Sequence, residues 1–207
     1  MNDIVRTKRL RAWLGWLAII LPWVVVLLQL CNDTFKWPAS ISATWYTNAC
    51  TPFMIILGAS AILLMNYHGY DLIDDILNTA AGIFALGICL FPCYSSLFEK
   101  VGTFQVGVNI SSTIHNVSAI IFFVILAYIS FFQFTKSNGN PDKRKKIRNI
   151  IFRVCGIGML ASFAILLLPN FYIQVWLTEA FALAFFGVSW LTKANKYKWL
   201  AADPKSK

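Results

Sequence analysis

Two ionisable side chains, His115 and Glu179, stand within otherwise apolar stretches of the sequence. An ionisable group inside a membrane span costs at least a few kcal/mol unless it finds a partner or water. An imidazole beside a carboxylate also supplies a general base and the group that orients it, and Ser42, Ser112 or Tyr46 could then act as nucleophile. Spacing selects none of the three. The chain has no G-x-S-x-G elbow and no H-E-x-x-H pair. Two readings stand side by side. In one, His115 and Glu179 pair in a water-accessible pocket and are the candidate catalytic residues. In the other, Glu179 is a hydrogen-bond anchor between helices and His115 a helix-entry residue at headgroup level.

Metal and redox chemistry are less well provided for. His68 and His115 are the only histidines, so a three-histidine zinc site cannot form within one chain. His68, Asp71, Asp74 and Asp75 cluster in sequence. Carboxylates with an imidazole suit a divalent cation, but a capped, solvated loop is the preferred reading. The five cysteines contain no C-x-x-C pair. No metal and no cofactor is expected.

The elements that must position these residues are hydrophobic spans. Of 207 residues, 58% are hydrophobic and only 13% are charged, which is too apolar for an ordinary soluble domain. The expected fold is all-α: a single polytopic transmembrane bundle of six helices at Leu14–Leu30, Ala49–Asn66, Ile76–Phe91, 114–134, Ile150–Leu168 and Tyr172–Leu191. The first run follows the basic tail Met1–Arg11 and is read as a retained span, because no small-residue cleavage site follows it directly. Gly82 and Gly87 suit a close helix approach. Arg153 is placed in the first turn of the fifth span, where it can snorkel.

The net charge of +9 is confined to a few places. Four Lys/Arg precede the first span, seven lie in 135–153 and five in the tail from Lys193, while the other connections hold only Lys36 and Lys100. This is the positive-inside pattern, and it puts both termini in the cytoplasm. With no nucleic-acid motif present, nucleic acid is excluded as a partner. The run Lys143–Arg148 could also attract anionic lipid headgroups.

That orientation gathers Ser40, Ser42, Tyr46, Asn48, His115, Asn116 and Glu179 on the outer side as candidate ligand-binding residues. Glu179 lies roughly 10 Å below the start of the sixth helix at ~1.5 Å per residue. Cys31, Cys50 and Cys93 share that side, where either a disulfide or free thiols are compatible with the sequence. The sequons at Asn32, Asn109 and Asn116 lie there too.

Three short patches, SIS at Ser40–Ser42, GICLFP at Gly87–Pro92 and IHNVSAIIFF at Ile114–Phe123, resemble the six-span Frag/DRAM/Sfk membrane proteins and related bacterial six-span proteins. The resemblance implies a six-helix bundle with cytoplasmic termini and a link to lipid remodelling or organisation. It nominates His115 and the Ser40–Ser42 loop as pocket residues. The expected function is binding, organising or sensing a lipid or amphipathic ligand at an outer-leaflet pocket built from the second, fourth and sixth spans. The alternatives are a lipid-modifying hydrolase or transferase using His115 and Glu179, a structural or partner-binding bundle, and a small transporter. Membrane lipid is the expected partner, and a protein partner or a homo-oligomer is compatible with the Gly-bearing third span. The bacterial inner membrane is the expected location, with a eukaryotic endomembrane as the alternative.

Overall fold

A computed structural model describes residues 3–31, 36–137 and 142–195. The Asn32 sequon, the breakers Gly139 and Pro141, and the tail lysines Lys196, Lys198, Lys205 and Lys207 lie outside these residues. Among the described residues the chain is all-α, apart from one short hairpin. The elements are α1 (Asp3–Gln29), α2 (Cys50–Met65), α3 (Leu72–Leu90), β1 (Lys100–Val101), β2 (Val106–Gly107), α4 (Val108–Tyr128), α5 (Lys143–Ala161) and α6 (Gln174–Lys193). A π turn at Ile129–Gln133 extends α4, and a 3-10 turn at Ser162–Leu167 extends α5.

Five helices, extended by these turns, are long and apolar enough to cross a membrane. Their outward faces carry Trp13, Trp23, Ile83, Ile120, Val124 and Ile157, all exposed apolar side chains. This is an integral membrane fold. A membrane interior offers backbone groups no water, so spans must satisfy them internally as helices. The sixth helix, α2, is shorter than its expected span. Its 16 residues reach about 24 Å at ~1.5 Å each. At its end the Asn66 side chain donates to the Ile62 carbonyl at 2.8 Å.

Helix ends depart from expectation wherever polar residues still favour helix. The basic tail is already helical from Asp3, because Lys and Arg are good helix formers. α5 likewise starts at Lys143, where Asp142 caps the Lys145 N–H. Arg153 is therefore three turns into the helix rather than in its first. It is exposed, with its guanidinium 5.9 Å from the Phe131 ring centre. The long loop expected before the fourth span is shortened by the antiparallel β1–β2 pair. Its turn uses Gly102 at φ +76°, in the left-handed region open to glycine.

The helices form a closed ring. Each packs on its neighbours in sequence, and α6 closes the circle against α1. Small residues set the approaches. A Cβ on Gly82 would lie 2.7 Å from the Ala61 carbonyl oxygen of α2, and one on Gly87 would lie 2.6 Å from Ser118 Oγ of α4, as the sequence predicts. The ring closure rests on a pair the sequence did not single out: a Cβ on Gly15 would sit 2.9 Å from the Gly187 carbonyl oxygen, and one on Gly187 would sit 2.8 Å from that of Gly15.

The cluster between α2 and α3 is a capped turn. Asp71 accepts from the Asp74 N–H at 3.0 Å, Asp74 from the Tyr70 N–H at 2.8 Å and Asp75 from the Gly69 N–H at 2.8 Å. His68 Nδ1 lies 3.3 Å from Asp75. No group of three metal-ligating side chains occurs among the described residues. The carboxylates are committed to backbone donors at the start of α3. Asp71 also forms an ion pair with Lys136 at 2.6 Å.

Candidate functional site

The residues between α1 and α2 fold over one end of the ring. Ser42–Tyr46 forms a 3-10 turn, and Ser40 Oγ accepts from the Ala43 N–H at 2.8 Å to start it. Three hydrogen bonds to α6 hold this segment down. Glu179 accepts from the Ile41 N–H and from Ser42 Oγ, the latter at 2.9 Å. The backbone N–H of Trp176 donates to the Ala39 carbonyl at 3.0 Å. The Trp176 ring meets Trp37 edge to face at 5.0 Å.

Beneath the segment lies a cavity of about 450 Å³. Ser42, His115, Asn116, Thr178 and Glu179 form its polar wall. Leu21, Phe53, Leu57, Ile88, Phe122, Phe123 and Leu183 are among its apolar wall residues. Three further lining residues, Ile120, Leu166 and Val175, are also 56%, 42% and 44% exposed on the outside of the molecule. The cavity therefore opens sideways between α4 and the α5–α6 connection, where α4 and α6 scarcely touch.

The structure gathers four of the seven predicted site residues at this cavity: Ser42, His115, Asn116 and Glu179. The other three turn to structural work. Ser40 caps the 3-10 turn. Tyr46 donates its hydroxyl to the Cys93 carbonyl at 2.6 Å and stacks on Phe98. Burial, with Cys93 beside it, pushes the Tyr46 phenol up to about 12. Asn48 donates to the Leu28 carbonyl at 2.8 Å, tying the start of α2 to the end of α1.

The His115–Glu179 pair of the first reading does not form. His115 is only 3% exposed and donates from Nδ1 to the Phe91 carbonyl at 2.8 Å. That carbonyl is one of those left without a helical partner where α3 ends before Pro92. Ser111, one turn earlier on α4, does the same for the Pro92 carbonyl at 2.8 Å. Ser111, His115 and Ser118 share one buried stripe of α4, facing Pro92, Phe91 and Gly87 in turn. The GICLFP and IHNVS stretches are thus two sides of one contact. His115 is a buried interhelical bond donor rather than a residue wetted at the helix entry. Glu179 has its two donors in Ile41 and Ser42 instead.

Ser42 thus donates straight to a carboxylate, with no imidazole between them. Thr178 was missed by sequence reasoning. It lines the cavity one position before Glu179, but its hydroxyl bonds back to the Gln174 carbonyl at 3.0 Å. The five cysteines are free thiols, including Cys31, Cys50 and Cys93. The Cys93 thiol is pushed up to about 12 by burial and by the nearby Glu179 carboxylate.

No protein-family model, curated protein or solved structure matches the chain.

Proposed function

We propose that this integral membrane protein binds or senses a lipid or another amphipathic ligand in the cavity beneath the Ser40–Tyr46 segment. The observation that carries the reading is the cavity's make-up. An apolar chamber of about 450 Å³ has one polar wall and a side opening rimmed by exposed apolar side chains. A ligand with an apolar body can enter from the hydrocarbon phase and meet hydrogen-bonding groups at Ser42, Asn116 and Glu179. In this reading the cavity faces the outer leaflet and both termini are cytoplasmic, following the positive-inside distribution. The resemblance to Frag/DRAM/Sfk proteins points the same way, towards lipid organisation.

One observation favours a second reading, a lipid-modifying enzyme. The 2.9 Å Ser42–Glu179 contact lies in the cavity wall and pairs a hydroxyl with a carboxylate that can take its proton.

The test is lipid mass spectrometry on cells expressing wild type or Glu179→Gln at matched levels, together with the lipid that co-purifies with each protein. A specific lipid held by wild type and lost in the variant, with cellular lipids unchanged, supports binding or sensing. A cellular lipid that changes only with wild type moves the function to the enzyme. No difference in either measurement overturns both.

A further inference from the structure

The opposite end of the ring carries a second, smaller pocket of about 190 Å³. It is separated from the first along α6. Glu179 and Lys193 are 14 residues apart, or roughly 21 Å at ~1.5 Å per residue. Four cationic residues from three helices line it: Arg11 of α1, Lys145 and Arg148 of α5, and Lys193 of α6. Among the described residues no carboxylate lines it.

Lys193 is 8% exposed and forms no ion pair among the described residues. Its ammonium lies 4.4 Å from the Tyr70 ring centre and 4.6 Å from that of Phe134. Arg11 has a buried Nε without a hydrogen-bond partner, and its guanidinium sits 5.3 Å from the Tyr67 ring centre. Lys145 donates to the Phe134 carbonyl at 3.0 Å, and Arg148 to Asn195 at 3.2 Å. Among the described residues, Asp74 acts on Lys193 and Asp142 on Lys145, and neither reaches the pocket wall.

Like charges held this close and partly out of water repel one another, and among the described residues no carboxylate in the pocket wall offsets them. We propose that this pocket binds a phosphate-class anion, either a lipid headgroup phosphate or a free phosphate. A phosphate fits better than a carboxylate. It brings up to about two negative charges and three acceptor oxygens, matched to guanidinium forks and ammonium points. The pocket lies at the bundle end that carries the basic α5 start, where headgroup phosphates are within reach.

The test uses the purified full chain. Inorganic phosphate against chloride at equal ionic strength supplies the soluble arm. Phosphatidic acid against phosphatidylcholine in nanodiscs supplies the lipid arm. Binding is followed by thermal melting and by lipid retention in native mass spectrometry. Wild type should bind at least one phosphate probe about tenfold or more tightly than Lys145→Gln/Arg148→Gln. A response to inorganic phosphate identifies a soluble anion, and a response confined to phosphatidic acid identifies a headgroup. Lys143→Gln/Arg144→Gln removes the same charge from exposed positions of α5 outside the pocket and should retain binding. Lys193→Met should lose binding while keeping a cooperative melt. No response to either probe, or equal loss in the exposed control, overturns the proposal.

Discussion

Glu179 of α6 accepts a hydrogen bond from Ser42 Oγ at 2.9 Å, joining residues 137 positions apart, and takes the Ile41 N–H on its other oxygen. The segment that roofs the cavity is thereby fastened to the last helix. Removing the acceptor leaves two donors without it, at about 1–3 kcal/mol for each that stays dry. Glu179→Ala should lower the melting temperature in detergent clearly. Glu179→Gln, which keeps one acceptor oxygen, should lower it less. An alanine variant as stable as wild type would remove Glu179 from the role of anchor.

The α1–α6 contact that closes the ring depends on Gly15 and Gly187, each of which would place a Cβ under 3 Å from the other's carbonyl oxygen. Gly15→Ala and Gly187→Ala should each cost about 1–3 kcal/mol through overpacking. Because both act on one contact, the double variant should cost less than the sum. Strict additivity in unfolding measurements would mean that the two glycines do not share an approach.

Asp71 and Lys136 pair at 2.6 Å outside the spans. The Lys136 hydrogen bond holds the Asp71 carboxyl below its usual 3.8, and Asp71 in turn raises the Lys136 ammonium above its usual 10.5. The carboxylate's contribution is present above 3.8 and is lost as pH falls through the lower folded value. The lysine's contribution is present below 10.5 and is lost as pH rises through the higher folded value. Both side chains are exposed to solvent, so the effect on stability is small. The direct check is carboxyl NMR: Lys136→Met should return the Asp71 titration towards 3.8.

Cys31 is an exposed thiol, whereas Cys93 is partly buried and its thiol is pushed up to about 12. Thiolate is the reactive form. At about pH 8 a maleimide should therefore modify Cys31 well before Cys93, as read by peptide mass spectrometry. In intact cells a membrane-impermeant maleimide should reach Cys31 from outside. Labelling only after the cytoplasm is opened would reverse the orientation and move the cavity to the inner leaflet.

Helix identity and approximate span positions were legible because a membrane interior leaves the backbone few choices. A long apolar run must be a helix, and its polar members must turn from lipid. This reasoning drew attention to His115, Glu179, Gly82 and Gly87 and to the cavity end of the bundle. Partners were not legible. Whether Glu179 meets His115 or the Ile41–Ser42 backbone turn depends on the rotation of α6 about its axis and on where a loop 137 positions earlier comes to rest. Composition and local periodicity contain neither. The same limit hid the Gly15–Gly187 closure and the convergence of Arg11, Lys145, Arg148 and Lys193. In the sequence these cations read as an orientation signal scattered over three segments. Only helix packing brings them to one pocket, because side-chain proximity between helices is set by their crossings and not by order along the chain.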